Sequence, residues 1–229
     1  MEILVIGNEI NYREFQNKFD FTGKTKSRSK KISVSFLSQS KMKALAIEKA
    51  NVIFDFSVNE FKENLELFKN RKDKTIFCNV PKTSLAALTY HYGPINCVIA
   101  GFNGLPSLFN RPILELTVKN EKDQAVITKI CGQLETEYSF VEDRVGMVTP
   151  RILSMVINEA YYTFMEKAAS VEDIDMAMKL GTRYPYGPFE FAERIGIKHV
   201  YELLEAVYED TKDERYKICS LLKKKYLEL

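Results

Sequence analysis

Glu2-Ile3-Leu4-Val5-Ile6-Gly7-Asn8-Glu9-Ile10-Asn11-Tyr12 decides how the first half of this chain is read. Four consecutive apolar residues closed by a glycine are too short for a core helix and suit a strand buried on both faces. From Glu9 to Phe19 the apolar residues recur at helical spacing instead. Strand, glycine turn and helix together make one βα unit. The same alternation continues to about residue 145. Strands are expected at Glu2–Ile6, Ile32–Leu37, Val52–Phe56, Thr75–Cys78, Cys97–Ala100, Ile113–Val118 and Tyr138–Val141. Helices are expected between them at Glu9–Phe19, Lys41–Ala50, Glu60–Asn70 and Asp123–Thr136. Strands alternating with helices predict a mainly parallel sheet with helices on both faces, an α/β, Rossmann-like arrangement.

After Gly146 the rhythm changes. Val148, Ile152, Met155, Val156, Ala160, Phe164 and Met165 hold to one helical stripe. Val171–Leu180 follows, with Gly181 as its expected C-cap, and then Phe189–Ile195, with Gly196 as its C-cap. Val200–Tyr208 and Glu214–Tyr226 complete the pattern as amphipathic helices. The reading is therefore a shortened Rossmann-like domain over 1–145 followed by an all-α domain over 146–229, with no internal repeat.

Composition narrows the function classes. Against 31 acidic residues stand 33 lysines and arginines, a net charge of +2, so no whole-chain field points to nucleic acid or an acidic membrane. The longest apolar runs are strand-sized, well short of the ~20 residues of a membrane span. The chain starts directly in a strand, with no basic region and no cleavage site, so no leader peptide is expected. Cys78, Cys97, Cys131 and Cys219 lie far apart without metal or redox spacing, which favours buried free thiols, a reducing cytoplasm and no metal site.

The second half carries the most specific string. Asp143-Arg144-Val145-Gly146-Met147-Val148-Thr149-Pro150-Arg151-Ile152-Leu153 precedes a helix containing Asn158-Glu159-Ala160. Asp173-Ile174-Asp175-Met176-Ala177-Met178-Lys179-Leu180-Gly181 and Tyr184-Pro185-Tyr186-Gly187-Pro188-Phe189-Glu190 follow. This order and spacing closely resemble the C-terminal domain of the 3-hydroxyacyl-CoA dehydrogenases, including the short 3-hydroxybutyryl-CoA enzymes. The first half resembles the same family in layout: Ala50–Phe56 looks like its strand before an acidic loop, Phe77–Leu85 like its Ser-Asn-Thr-Ser-Ser segment, and Gly101–Val118 like its catalytic stretch. The resemblance implies NAD as cofactor, an acyl-CoA ligand, and a homodimer formed through the C-terminal helices.

The site residues fit that family unevenly. A dinucleotide turn uses three glycines for the tight turn, the approach of pyrophosphate and the packing of helix on strand. Gly7 is present, but Glu9 and Tyr12 stand in the second and third places. Glu9 obstructs the approach and opposes pyrophosphate charge, and it is expected to serve as an internal anion at the helix terminus. Two like charges ~4 Å apart at an effective dielectric of ~20 repel by about 4 kcal/mol. Strand Ile32–Leu37 runs into Ser38-Gln39-Ser40, with no carboxylate for a ribose. Asn79 is the second candidate cofactor contact by resemblance.

In the family a histidine exchanges the hydroxyl proton and a glutamate twelve residues later orients it. Glu115 occupies the glutamate position, and Asn103 the histidine position. An amide hydrogen-bonds a carbonyl but exchanges no proton near neutral pH. Pro150 takes the place of an asparagine that the family uses near substrate. The two histidines, His91 and His199, read as a turn residue and a helical residue, with His91 the one alternative base. Lys24–Lys31 carries five positive charges without interleaved aromatics, which suits a solvated loop or coenzyme A phosphates better than nucleic acid. Tyr161, Tyr162, Tyr184 and Tyr186 read as core or dimer contacts. Three function classes follow: a divergent family member with weak or lost oxidoreductase activity that binds acyl-CoA or another small ligand; a working NAD-dependent 3-hydroxyacyl-CoA dehydrogenase with a relocated base; and a structural or regulatory dimer without a small ligand.

Overall fold

The computed structural model describes residues 1–19, 32–38 and 44–229. It divides into two compact units, Met1–Gly104 with Leu108–Met147, and Leu105–Ser107 with Val148–Leu229.

The first unit is built on a seven-stranded sheet of order β2-β1-β3-β4-β5-β6-β7. Its strands are β1 (Glu2–Gly7), β2 (Ser33–Ser38), β3 (Val52–Asp55), β4 (Thr75–Asn79), β5 (Val98–Phe102), β6 (Ile113–Val118) and β7 (Glu137–Phe140). Every pairing is parallel except β5 with β6. Helices α1 (Glu9–Phe19), α2 (Ala44–Lys49), α3 (Leu85–Tyr92) and α4 (Glu121–Gln133) cover the faces. The continuous apolar run of β1 arises because both faces are covered: Ile3, Leu4, Val5 and Ile6 are all buried. Alternation then sorts side chains between two cores. Val52 and Phe54 join Phe15 and Phe19 of α1 and Ile127 of α4 on one face. Ile53 joins Ile47 of α2 and Leu85 and Leu88 of α3 on the other. Phe54 and Phe77 stack across neighbouring strands with centroids 4.3 Å apart.

Three local readings are corrected. Residues 60–70 form a 3-10 turn, Lys62–Leu67, because buried Leu65 and Phe68 recur three residues apart, the period of that helix. Helix α3 falls where no helix was expected; Ser84 starts it by accepting from the Ala87 amide at 3.0 Å. Beyond residue 213 the chain makes a short turn at Glu214–Tyr216 and then α9 (Ser220–Leu227), not one helix.

The second unit contains α5 (Thr149–Met165), α6 (Val171–Thr182), α7 (Pro188–Ile195), α8 (Ile197–Thr211) and α9. Leu153, Ile157 and Ala160 of α5, Phe191 and Ile195 of α7, and Val200, Leu203, Leu204 and Val207 of α8 are buried. Gly181 does not end α6: the helix runs to Thr182 and turns at Arg183, whose φ of 57° is left-handed. Gly196, with φ of 93°, does cap α7.

One polar network fixes the turn between α6 and α7. The buried Asp175 carboxylate accepts from the Phe189 amide at 2.8 Å and the Glu190 amide at 3.1 Å, capping α7 from a neighbouring helix. Glu190 accepts from the Gly187 amide and from Lys179 Nζ. A Cβ on Gly187 would lie 2.2 Å from Asp175 Cγ, so the glycine is demanded by packing. Asn158 ties the chain end to α5: its amide donates to the Lys217 carbonyl and accepts from the Cys219 amide, both at 2.9 Å. Among the described residues no helix is long and apolar enough to cross a membrane.

Gly187→Ala is expected to lower stability by about 1–3 kcal/mol through overpacking. Asp175→Ala should cost about 1–3 kcal/mol by stranding two half-buried amides. Urea unfolding checks both, and an unchanged midpoint in either variant contradicts the network's role.

Candidate functional site

In an open α/β sheet, ligands bind outside the carboxyl ends of the strands where the strand order reverses. Here the chain leaves β1 for β2 on one side and returns to β3 on the other, so the reversal lies between Gly7 and Asp55. Gly7 is buried there, and a Cβ on it would lie 2.8 Å from Asn11 Oδ1 and 3.1 Å from Phe56 Cβ. The glycine is thus required for the turn, independent of any ligand.

Two amides at the start of α1 are bonded within the chain. Asn8 Oδ1 accepts from the Asn11 amide at 2.9 Å, and Asn11 Oδ1 accepts from the Asn8 amide at 3.0 Å. This reciprocal pair has capping-box geometry and spacing. It replaces the expected role of Glu9, which lies exposed in the first turn of α1. The Asn-x-x-Asn spacing was the signal for it. Tyr12, in the third glycine's place, stacks on Phe36 of β2 with centroids 4.7 Å apart.

Aromatic rings fill the space beside this turn. Phe56, the residue after β3, meets Phe102 at 4.9 Å and Phe109 at 5.0 Å, both edge to face. Phe102 and Phe109 lie 5.5 Å apart, and both are fully buried. Beneath them, on the opposite face, stands Asp55. It is 1 % exposed, with Oδ1 accepting from the Ser57 amide at 2.8 Å and the Ser57 hydroxyl at 2.6 Å. Its Oδ2 has no partner among the described residues. Burial pushes its carboxyl up to about 6, partly offset by the Ser57 bonds. The sequence offered no sign of this, since an aspartate ending a strand reads as a turn residue.

Asn79 is committed to the protein. Its amide donates to the Phe56 carbonyl at 3.2 Å and accepts from the Gly104 amide at 2.8 Å, while Asn59 donates to its carbonyl at 2.8 Å. It binds together the chain segments that leave β3, β4 and β5. The N-terminus of α3 is closed as well: Asp143 accepts from the Leu85 and Ala86 amides, both at 2.8 Å. That carboxylate sits where a bound anion would.

Asn103 and Glu115 are brought together on the antiparallel β5–β6 edge, with the Asn103 amide 3.4 Å from the Glu115 carbonyl. Asn103 is 3 % exposed. Helix α3 returns the chain from the carboxyl edge to the edge where β5 begins, and His91 lies exposed in its last turn. The Tyr92 carbonyl there accepts from Lys69, which precedes β4. His91 therefore belongs to the edge opposite Gly7. His199 lies in the first turn of α8, and Pro150 is buried in the first turn of α5. Lys24–Lys31, Gln39 and Ser40 lie outside the described residues. Among the described residues no group of three or more histidine, cysteine or carboxylate side chains could hold a metal ion. Cys78, Cys97, Cys131 and Cys219 are free and buried.

Comparison with known proteins places these features. Residues 146–228 match the 3-hydroxyacyl-CoA dehydrogenase C-terminal domain. The 3-hydroxyadipyl-CoA dehydrogenase of Escherichia coli is 40% identical over 87 residues, 38% of this chain and 18% of that protein. A probable 3-hydroxybutyryl-CoA dehydrogenase of Bacillus subtilis is 27% identical over 186 residues, 77% of this chain and 64% of its own length. The chain thus spans between about a fifth and two thirds of these relatives. The crystal structure of (S)-3-hydroxybutyryl-CoA dehydrogenase PaaH1 from Ralstonia eutropha has the same fold, with a TM-score of 0.73 at 18% identity over 97% of this chain and 92% of that one.

Asp55 predicts a pH effect. Its folded pKa lies above the unfolded 3.8, so burial is uncosted only while it is protonated; stability falls as pH rises from 3.8 through about 6 and stays low above. Asp55→Asn is expected to raise stability by about 2–3 kcal/mol near neutral pH and by almost nothing near pH ~4. Thermal unfolding across pH checks this, and equal gains at both ends contradict it.

Proposed function

We propose that this relative of the 3-hydroxyacyl-CoA dehydrogenases keeps the family's fold without its hydride chemistry: it binds an acyl-CoA or related small ligand and is weak or inactive as an NAD-dependent oxidoreductase. The observation that carries the reading is the Asn8–Asn11 pair at the terminus of α1. A pyrophosphate seated there must displace the Asn8–Asn11 pair, meet Glu9, and find room beside Phe56. Each hydrogen bond given up costs roughly 1 kcal/mol, and every 1.4 kcal/mol weakens binding tenfold. The residues present therefore fit NAD poorly. Nor does Asn103 supply a base, since its neutral amide neither takes nor returns the proton of a hydroxyl. Glu115 is left with no imidazole to orient.

The reading of a working dehydrogenase with His91 as relocated base is disfavoured by the return of α3 to the opposite edge of the sheet. Pairing of two copies through the helical unit belongs to the proposal: Ile152, Met176 and Leu180 are exposed there, Leu180 at 77 %. Cytoplasmic location belongs to it too, since four buried free thiols suit a reducing compartment.

Titration with NADH, followed by nicotinamide fluorescence, is expected to show no saturable binding up to millimolar concentration, and Asn103→His alone should leave acetoacetyl-CoA reduction at background. Saturable micromolar binding would overturn the reading; reduction lost in His91→Ala would then identify the base. Sedimentation velocity is expected to give a dimer that Leu180→Glu converts to monomer, and a monomeric parent protein removes that part of the proposal.

A further inference from the structure

The segment between β5 and β6 is irregular, and its last part is held by side chains. Leu108 and Phe109 are buried, and the Phe109 ring is enclosed by Phe15, Phe19, Phe56 and Phe102 at centroid distances of 5.0 to 6.2 Å. Lys18 of α1 donates from Nζ to the Arg111 carbonyl at 2.6 Å. The same ammonium lies 5.8 Å from the Phe109 centroid and 5.9 Å from that of Phe19. A carbonyl is a weak match for an ammonium, which a carboxylate or phosphate satisfies better. Burial lowers the Lys18 pKa to about 8, with a smaller opposing effect from Cys131 on α4.

We propose that Leu108–Arg111 is a strap displaced by a ligand with a medium-length apolar tail and an anionic head. The tail takes Phe109's place among the four rings, and the head pairs with Lys18 as it releases the Arg111 carbonyl. The lining selects the ligand class. Four phenylalanine rings accept an alkyl chain or aryl ring and offer no hydrogen bond to sugar or amide. The Lys18 ammonium at the rim selects an anion. Opening gives up the burial of Leu108 and Phe109 and the Lys18 hydrogen bond, which the ligand's tail and head replace. A free fatty carboxylate has this chemistry, whereas an acyl-CoA sets a neutral thioester beside its tail and its phosphates a pantetheine arm away, so the free acid is the favoured source. The acyl-CoA source rests on the ligand-binding half of the proposed function, and neither source involves NAD.

Hydrogen exchange of the peptide covering residues 108–112, read by mass spectrometry on the full chain, tests the strap. Octanoate and octanoyl-CoA are the two arms, with octanol and free CoA as controls. Octanoate is expected to speed exchange of this peptide by about tenfold while the β1 and β4 peptides stay unchanged. Octanol and CoA should do so far less. A faster response to octanoyl-CoA than to octanoate identifies the thioester as the ligand; the reverse identifies the free acid. Lys18→Met, whose thioether still packs among the rings, should speed exchange without ligand and abolish the preference for octanoate over octanol. Exchange that is unchanged or slowed at saturating octanoate and octanoyl-CoA overturns the proposal, as does a Lys18→Met variant indistinguishable from the parent. If calorimetry shows octanoyl-CoA binding while the strap stays protected, the strap fails and the ligand-binding reading stands.

Discussion

An α-helix begins with amide donors that have no partner within the helix, and a buried helix must find partners for them elsewhere. This requirement organises both units. At α1, Asn8 and Asn11 satisfy one another; at α3, Ser84 and Asp143 accept from three successive amides; at α7, Asp175 reaches across from α6. A dinucleotide enzyme leaves such donors open toward its ligand and accepts the loss of apo-state stability. In this chain three donors at α3 and the Asn11 donor at α1 are spent on folding. Any anion must then compete with a side chain already in place at high effective concentration.

The same economy runs along the carboxyl edge of the sheet. Asn79, a residue type suited to contacting a carbonyl or carboxamide, joins three strand-leaving segments through the Phe56 carbonyl, the Gly104 amide and Asn59. Breaking these bonds for a ligand would loosen the exits of β3, β4 and β5 together. Phe56, which lies against the Gly7 turn, packs edge to face on Phe102 and Phe109. Asp55 works in the opposite direction: its unpartnered Oδ2 is a buried cost that the rest of the sheet must offset. Buried polar atoms of this kind mark places where a chain has not been optimised for stability alone.

How far the sequence disclosed this depends on the range of the interaction. The strands were legible because β1, β3 and β4 lie between two layers of helices, which turns burial into a contiguous apolar run. The α5 stripe was legible because helical periodicity is local. Helix α3 was not: its Leu-Ala-Ala-Leu is short, and Tyr-His-Tyr-Gly reads as a turn, although Ser84 marked its start. At the site, Gly7 and the amide at Asn103 could be read directly, since each depends on one residue at one position. The Asn8–Asn11 pair was written in a local spacing and overlooked in favour of the charged Glu9. The seven-ring cluster and the Asp143 cap depend on residues brought together over long separations, which no local pattern encodes.

The two units also differ in what their side chains can afford to change. In the helical unit the turn from α6 to α7 admits no Cβ at Gly187, because Asp175 lies 2.2 Å from where it would stand, and Asp175 is in turn held by two amides. Altering any one member strands the others, so the set persists or fails together. It is this unit, over residues 146–228, that matches the 3-hydroxyacyl-CoA dehydrogenase C-terminal domain. In the sheet, strand positions ask only for apolar side chains of suitable volume, and the turn at Gly7 asks only for a glycine. Glu9 and Tyr12 at the turn and Asn103 after β5 sit alongside intact strand pairings. A fold of this kind can therefore vary its carboxyl edge while the sheet's pairing stays unchanged, and at Asn8 and Asn11 the side chains add hydrogen bonds at a helix end.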